Sequence, residues 1–355
     1  MDPATSSSPS LPPEINDASA WYGPDLQKSG EWISHLSESE IAEIKRAVDR
    51  LIGSSSDPTE IEYRDFPLPT LSPRLRRWLD EVLNGRGFVL IRSLPVERWT
   101  KEQSAIAFLG IASHLGNLRM QNAVGHLLGH VKDLGRSSSD PETRIYQTHE
   151  RQTFHTDSCD IVGLLCLQTA KAGGLSALVS STTIFNEMRR RRPDLASVLF
   201  DTIETDRRGE VPPSGKPYFT IPVFNWHEGL LSAIYQRQYI ESARRFEDVA
   251  PITSIQLEAL DLLDELANDP ALNLMMELQP GDIQLVHNHT LLHDRTAFVD
   301  FPEPERRRHL LRVWIAPPEA RPLPEVFAQR FGSVVPGDRG GVSVKGSKET
   351  ISFDA

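Results

Sequence analysis

The stretch Phe154-His155-Thr156-Asp157, followed by the apolar run Ile161–Leu167, decides how this chain of 355 residues is organised. In an extended strand, residues i and i+2 point to the same side, so the His155 imidazole and the Asp157 carboxylate can converge on one point. An imidazole nitrogen and a carboxylate oxygen suit a borderline divalent metal, above all Fe(II) held by two histidines and one carboxylate. The prediction therefore requires a second histidine elsewhere in the sequence.

Composition and charge restrict the classes of protein that the sequence can specify. The formal net charge of -11 argues against a nucleic acid or an anionic membrane as the main partner and leaves a small molecule. The two cysteines form no disulfide framework and favour a reducing, cytoplasmic location. No apolar segment approaches the roughly 20 residues that span a bilayer. A homo-oligomer is compatible with these features.

Helical and strand patterns divide the chain at His155. Before it, the pattern predicts helices that include 72–83 and 100–114, with helix starts at Ser37 and Thr100. After it come short strands separated by turns, a helical insertion at 183–200 and a hairpin of 218–224 with 230–235. This order predicts an α+β fold with a mostly β core, either a sandwich or a barrel.

The termini are predicted to differ from this folded domain. Residues 1–18 are rich in serine and proline, which predicts a disordered leader before a single domain at 19–340. The tail at 341–355 is expected either to fold over the mouth of the site as a lid or to fray.

Several histidines compete to be the second metal ligand. His287, His289 and His293 follow a predicted strand and a turn, so all three remain candidates at this point. His126 and His130 are four residues apart, but Leu127 stands where a metalloprotease motif has glutamate, which favours a structural role. His309 is less suitable because it points away from its neighbour Arg308 on a strand.

Two arginines on the last predicted strand indicate an anion site. In the stretch 308–315, Arg308 and Arg312 share one face with Leu310 and Trp314, and apolar residues occupy the other face. Arginine on an otherwise apolar strand is costly unless it meets an anion, and it binds carboxylates through two parallel hydrogen bonds. Surface arginines on an edge strand are the alternative explanation.

The ordered combination of these motifs resembles the TauD/TfdA-type Fe(II)/2-oxoglutarate-dependent dioxygenases, within the clavaminate-synthase-like group. The parts in order are Phe154-His-Thr-Asp157, Gly173-Gly-Leu-Ser176, Asn288-x4-His293 and Arg308-x3-Arg312. The resemblance covers about residues 87–317. It implies a double-stranded β-helix, or jelly roll, as the core, with flanking N-terminal helices.

The resemblance also implies roles for individual residues. His155, Asp157 and His293 would be the metal ligands and the catalytic centre. Arg308, assisted by the hydroxyl of Ser176, would bind the distal carboxylate of 2-oxoglutarate. Arg312 would face either the anionic group of the primary substrate or the near carboxylate of 2-oxoglutarate, and Arg151 and Phe154 would lie near the substrate.

The implied reaction uses Fe(II), 2-oxoglutarate and O2 and releases succinate and carbon dioxide. The presence of Asp157 favours hydroxylation, desaturation or ring closure over halogenation. Arg312 suggests a small, carboxylate-bearing, amino-acid-like metabolite as the substrate, and the sequence around 115–150 departs from that of sulfonate-oxidising members. Two alternative hypotheses for the function remain: a jelly roll that binds a small acid without turnover, and a zinc hydrolase.

Overall fold

The computed structural model describes residues 11–54, 57–137, 144–212 and 215–354. The helices are α1 (Gly23–Ser29), α2 (Glu38–Gly53), α3 (Ser72–Asn84), α4 (Lys101–Ser113), α5 (Ser181–Arg191), α6 (Pro193–Val198), α7 (Arg237–Ser242), α8 (Ser254–Asn268) and α9 (Ala328–Phe331). The strands are β1 (Ile33–His35), β2 (Phe88–Arg92), β3 (Asn117–Arg119), β4 (Gly129–Val131), β5 (Gln152–His155), β6 (Ile161–Gln168), β7 (Ala172–Gly173), β8 (Ser176–Ser180), β9 (Thr202–Asp206), β10 (Tyr218–Pro222), β11 (Phe224–His227), β12 (Leu230–Ala233), β13 (Leu274–Met276), β14 (Ile283–His287), β15 (Leu291–Arg295), β16 (Phe298–Val299) and β17 (His309–Ala316).

Two facing sheets form the core. The larger sheet has the order β1-β2-β14-β6-β17-β3, with β4 also paired to β17, and the smaller has the order β13-β8-β15-β5. Apart from the parallel pair β1-β2, the strands in both sheets pair antiparallel. Val162 and Trp314 of the larger sheet meet Leu178 and Leu291 of the smaller in one apolar layer. This arrangement is a jelly roll, and it confirms the predicted α+β fold with a mostly β core.

Helices cover the outer faces of both sheets. Outside the larger sheet, α2, α3 and α4 pack against Leu311, Val313 and Ile315 of β17. Outside the smaller sheet, α5, α6 and α8 enclose a second apolar cluster that includes Phe154 and Leu292. Because the odd-numbered side chains of β17 point to the helices, its even-numbered side chains point between the sheets, as the alternation predicts.

The predicted hairpin differs from the observed pairing. Strand β10 pairs with β9, and the hairpin is instead β11 with β12. Val223 separates β10 from β11 and is buried in the second apolar cluster, so the apolar run is divided between two small sheets. Strand patterning alone did not reveal this division, because 202–206 lies in a more polar stretch.

The terminal segments are packed onto the domain where the structure describes them. Residues 1–10 of the predicted leader lie outside the described residues, but Ile15 exchanges two hydrogen bonds with Asn186 of α5 and packs on the second apolar cluster. For 11–18, these contacts replace the expected disorder. At the other end, Thr350 pairs with His126, and Ile351 packs against the N-terminal helices. Within the described ranges, no helix has the length and apolarity needed to cross a membrane.

Candidate metal centre and active site

The register between β5 and β15 brings three potential metal ligands together. His155 is the direct cross-strand partner of His293, and the centroids of their rings are 4.1 Å apart. Cross-strand partners point to the same face of a sheet. Asp157 follows β5, with Oδ1 3.9 Å from Nε2 of His155. One ligand atom from each of the three side chains lies within 4.8 Å of the others, which gives a donor set of two imidazoles and one carboxylate.

Both imidazoles of this set are held in the neutral form that binds metals. Nδ1 of His155 lies 2.8 Å from the carbonyl oxygen of Thr153, so Nδ1 carries the proton and Nε2 presents its lone pair. Burial lowers the pKa of His155, and the charge of Asp157 opposes this shift only in part. Burial, with a smaller contribution from the neighbouring His155, lowers the pKa of His293 to about 3.

Asp157 is held as an anion with one oxygen left open. Burial alone would raise its pKa, but Arg312, both histidines and Trp314 outweigh burial and lower the pKa to about 2. Trp314 Nε1 donates to Oδ2 at 2.9 Å, and Arg312 Nη1 lies 3.3 Å from the same oxygen. The main-chain N–H of Asp157 donates to Oδ1 of Asn288 at 2.9 Å. The second carboxylate oxygen, Oδ1, therefore faces the histidines.

These residues fit a divalent iron ion. The donor set has the required composition, both histidines are neutral, and its members, His155 buried and the other two half-buried, lie at the edge of a cavity. Nδ1 of His293 is also buried with no hydrogen-bond partner in the described part of the chain. Nε2 of Gln152 lies 2.8 Å from Nε2 of His155, the ring nitrogen that a metal would use. The side chain of Gln152 must therefore rotate away before a metal can bind there.

An inner cavity of about 530 Å³ extends from this centre between the two sheets. Arg308 lines it and is 5 % exposed, and its Nη1 has no hydrogen-bond partner among the described residues. Burial lowers the pKa of Arg308 to about 10, which leaves it cationic at neutral pH. The hydroxyl of Ser176 lines the same cavity and is 3.1 Å from Nε2 of Gln284. Arg308 has no ion pair among the described residues, and a buried cation of this kind suits a carboxylate ligand.

An outer cavity of about 750 Å³, open to solvent, lies on the other side of the centre. The two cavities share Tyr146 and four polar residues. These four form a polar wall of the outer cavity: Gln152, His155, Asp157 and Arg312. Arg144, Arg207 and Arg330 also line it. The candidate centre thus lies between two cavities, each of which contains buried arginine.

Arg312 stands between the cavities, but its guanidinium group is already engaged. Nε donates to Oε1 of Gln121 at 2.7 Å, and Nη1 faces Asp157. The guanidinium carbon lies 4.6 Å from the ring centroid of Tyr146. Arg312 therefore orients the metal-binding carboxylate in the ligand-free structure, in addition to lining both cavities.

Two residues predicted to face the substrate lie elsewhere. Arg151 lines neither cavity, because its guanidinium group pairs with Asp294 at 2.7 Å and also donates to Asn268. Phe154 is 2 % exposed and packs in the cluster beneath α5 and α8. Since Phe154 precedes His155 on a strand, alternation directs it away from the site.

The remaining histidines are placed outside the donor set. His289 pairs with buried Asp160, and Nδ1 of His287 lies 3.0 Å from Thr290 Oγ1. Nδ1 of His130 lies 2.8 Å from Nε2 of His309, and Nε2 of His130 contacts the carbonyl of Ser352 in the tail. These contacts agree with the structural role expected for His130, and the tail that they hold lines neither cavity.

Sequence reasoning missed the three arginines of the outer cavity. They come from separate segments, before β5, after β9 and in α9, and no motif links them. Arg330 also lies beyond the predicted core of 87–317. The signal that could have drawn attention to them is weak, because isolated arginines usually lie on the surface.

A jelly roll that presents two histidines and a carboxylate between its sheets has the architecture of the non-haem iron oxygenases. The model of one such family, described as taurine catabolism dioxygenase TauD, TfdA family, matches residues 53–314, and the chain belongs to this family. It is therefore a non-haem dioxygenase that uses Fe(II) and 2-oxoglutarate.

Individual relatives support this assignment over most of the chain. FR-33289 synthase of Streptomyces rubellomurinus is 30% identical over 90% of this chain and 95% of its own length. The taurine hydroxylase-like protein SAT17 of Stachybotrys chartarum is 32% identical over 84% and 79% of the two chains. Among solved structures, an asparagine oxygenase in complex with Fe(II), 2S,3S-3-hydroxyasparagine and succinate has a TM-score of 0.63 at 18% identity, over 80% of this chain and 93% of its own.

Proposed function

We propose that this dioxygenase oxidises an unactivated C–H bond of a small, acidic, amino-acid-like metabolite. The outcome is hydroxylation, desaturation or oxidative cyclisation, with release of succinate and carbon dioxide. The observation that carries the proposal is the position of His155, Asp157 and His293 between two cavities. The inner cavity suits a dicarboxylate, and the outer one is large enough for a second small molecule. The asparagine oxygenase with a similar fold carries an amino-acid product, which supports the substrate class.

The residues of the inner cavity would hold 2-oxoglutarate. Arg308 would bind the distal carboxylate, because its buried Nη1 lacks a partner in the described residues. The hydroxyl of Ser176, kept nearby by Gln284, would add a second donor. When bound to His155, Asp157 and His293, Fe(II) supplies the oxidising chemistry with 2-oxoglutarate and O2, while the protein supplies position and exclusion of water.

The chain around the metal ligands would keep them fixed during turnover. Trp314 and Arg312 both contact Oδ2 of Asp157, so the carboxylate is held at one oxygen and open at the other. The carbonyl of Thr153 fixes the tautomer of His155. Hydrogen bonds of this kind to metal ligands typically change metal affinity or activity by about 10- to 100-fold.

The alternative hypothesis, a zinc hydrolase, has less support because hydrolysis requires a free general base near the metal. The other carboxylates that line the two cavities each form an ion pair with an arginine: Asp206 with Arg245, Glu210 with Arg144, and Asp294 with Arg151. The oxygens of these carboxylates already pair with guanidinium groups, so none of the three is a free base. A non-catalytic small-acid binder, in turn, would not require the set of two histidines and one carboxylate.

The decisive experiment is the anaerobic addition of Fe(II) and 2-oxoglutarate to the metal-free protein, monitored by absorption spectroscopy. We expect a visible charge-transfer band, which reports chelation of 2-oxoglutarate to iron. Asp157→Ala should abolish the band and all succinate release. Lys45→Ala, at an exposed ion pair with Asp49 on α2, is the matched control and should behave like the parent. Absence of the band in the parent protein would refute the proposal.

The substrate class requires a separate assay of succinate release under air. A panel of amino acids and their acidic derivatives should contain compounds that raise release above the uncoupled rate. Neutral compounds of similar size serve as controls. If the band forms but only neutral compounds stimulate release, the assignment of an acidic substrate is wrong while the cofactor assignment stands.

A further inference from the structure

Three arginines from distant parts of the sequence meet in the outer cavity. Arg144, Arg207 and Arg330 line its wall together with Phe219. The guanidinium carbons of Arg207 and Arg330 lie 5.5 and 5.9 Å from the ring centroid of Phe219, so they share one aromatic platform. Glu210 links Arg144 to this pair of arginines, because its carboxylate contacts both Arg144 and Arg330.

The charges of this cluster do not balance. Oε1 of Glu210 lies 2.6 Å from Nη2 of Arg144, and its Oε2 lies 3.3 Å from Nη2 of Arg330. Among the described residues, the hydrogen-bond partners of the Arg207 guanidinium group are two carbonyl oxygens, those of Lys216 and Gln329. Three guanidinium groups and one carboxylate leave a formal charge of +2, because +3 and -1 sum to +2. The nearby carboxylate of Asp206 does not compensate, since it has its own partner in Arg245.

Donors in this cluster are also left open. Nη1 of Arg207 and Nη1 of Arg330 make no hydrogen bond within the described ranges, although both side chains are largely buried. Burial and the charge of Arg330 together lower the pKa of Arg207 to about 10. Keeping such like charges together out of water is costly unless an anion joins them.

We propose that Arg144, Arg207 and Arg330 form a subsite for a doubly charged phosphoryl group of the substrate, either a phosphate or a phosphonate. The inference rests on the proposed function, because it assigns the acidic group of the molecule that occupies the outer cavity. A phosphoryl dianion matches the formal charge of +2, and its three oxygens can accept hydrogen bonds from separate guanidinium groups. A single carboxylate would leave one positive charge uncompensated.

The subsite lies next to the metal centre. Nε of Arg330 donates to Oγ of Ser158 at 2.7 Å, and Ser158 directly follows the metal-ligand candidate Asp157. Arg207, Arg330 and Asp157 line the same cavity, so one small molecule in it can contact both the subsite and the centre. The arginines thus fix which end of the substrate faces the centre.

The first test is direct binding to the full-length, metal-free protein by isothermal titration calorimetry at about pH 8, where phosphate is mostly dianionic. Inorganic phosphate, methylphosphonate and acetate are the probes. We expect the two phosphoryl probes to bind at least about tenfold more tightly than acetate. Arg207→Gln and Arg330→Gln should each weaken phosphate binding by about 10- to 100-fold, because each removes charge-assisted hydrogen bonds.

Two control variants locate the binding. Arg192→Gln, at an exposed ion pair with Asp194 on α6, should bind phosphate like the parent. Arg308→Gln should also retain phosphate binding, which separates the outer subsite from the inner cavity. Because the Arg330 side chain is largely buried, its replacement could destabilise the fold, so melting temperatures are measured for every variant. Arg207→Gln is the second, independent variant, because the described partners of Arg207 are carbonyl oxygens and its loss breaks no ion pair.

The outcomes discriminate between the two proposals. Equal affinity for acetate and phosphate, unchanged binding in folded Arg207→Gln and Arg330→Gln, or loss of binding in Arg308→Gln would overturn the subsite. If the Fe(II)–2-oxoglutarate band forms but phosphate does not bind, the subsite fails and the dioxygenase assignment stands. Succinate release with O-phosphoserine and with 2-amino-3-phosphonopropionate then distinguishes a phosphate ester from a phosphonate.

Discussion

Replacing Arg308 by methionine should weaken 2-oxoglutarate binding strongly while leaving the empty protein at least as stable. In the parent, Arg308 is 5 % exposed, and its Nη1 has no partner in the part of the chain that the structure describes. A carboxylate bound there would form a buried, hydrogen-bonded charge pair. Loss of one partner from such a pair costs about 2–5 kcal/mol, which corresponds to roughly 30- to 4,000-fold in Kd.

The stability of the ligand-free protein should change in the opposite direction. A buried guanidinium group without a counter-ion is unfavourable, and methionine of similar length fills the space without a charge. The Arg308→Met variant should therefore melt no lower than the parent when both lack ligands. Adding 2-oxoglutarate at 100 times the parent Kd should stabilise the parent by about 2.7 kcal/mol and the variant far less.

The assay is titration of 2-oxoglutarate into the anaerobic Fe(II) protein, combined with thermal melts with and without ligand. Arg306→Met is the matched control, because Arg306 is 56% exposed and lies outside the inner cavity, near Glu303 at 3.7 Å and over the ring of Phe301 at 4.0 Å. The control should bind 2-oxoglutarate like the parent. A change of less than threefold in the Kd of Arg308→Met would refute the assignment of Arg308, as would a large loss of stability in the empty protein.

Three further predictions concern residues away from the centre. Burial, together with the neighbouring His130, lowers the pKa of His309 to about 3. Below about pH 6.5, the ordinary pKa of histidine, the unfolded chain therefore takes up a proton at this residue that the folded chain does not. Between about pH 6.5 and pH 5 the protein should lose about 2 kcal/mol of stability through this residue, and His309→Gln should remove that loss in melts at both pH values. Arg339→Met should destabilise the protein by about 3–5 kcal/mol in denaturant titrations, because it leaves buried Asp160 without its guanidinium partner at 2.7 Å. Deletion of 349–355 should lower the melting temperature but change the KM for 2-oxoglutarate by less than about twofold, because the tail packs on the helices and lines neither cavity.

The controls for these predictions use exposed sites. His35→Gln is the control for the pH prediction and should leave the pH dependence of stability unchanged, because His35 is exposed to solvent. Lys45→Met, at the exposed pair with Asp49, should cost less than about 1 kcal/mol. A steep loss of turnover on deletion of the tail would instead favour a lid over the site. If Arg339→Met were as stable as Lys45→Met, the predicted contribution of the buried Arg339–Asp160 pair to stability would be wrong.

The sequence determined the architecture and the metal ligands to a large extent. Alternation in 308–315 predicted which side chains of β17 point between the sheets, because the strand period of two is a local property. Two helix starts, at Ser37 and Thr100, were predicted correctly because a capping box needs only residues three apart. The Phe154–Asp157 motif likewise placed an imidazole and a carboxylate on one side of a strand without any long-range information.

Tertiary structure decided what depends on register and on distant contacts. Local pattern left His287, His289 and His293 as alternatives, and only the pairing of β5 with β15 sets His293 opposite His155. Only the folded chain shows that Arg151 lies away from both cavities, because Asp294, 143 positions away in sequence, pairs with its guanidinium group.

The outer arginine cluster is the clearest case of information that only the folded chain contains. Arg144, Arg207 and Arg330 come from three segments that carry no common motif, and Arg330 lies beyond the predicted core. Their shared environment exists only after the sheets close and α9 packs onto β10. The ordered motifs of the sequence therefore indicated the reaction class through their resemblance to a known family, whereas the charge of the outer cavity arises from long-range packing.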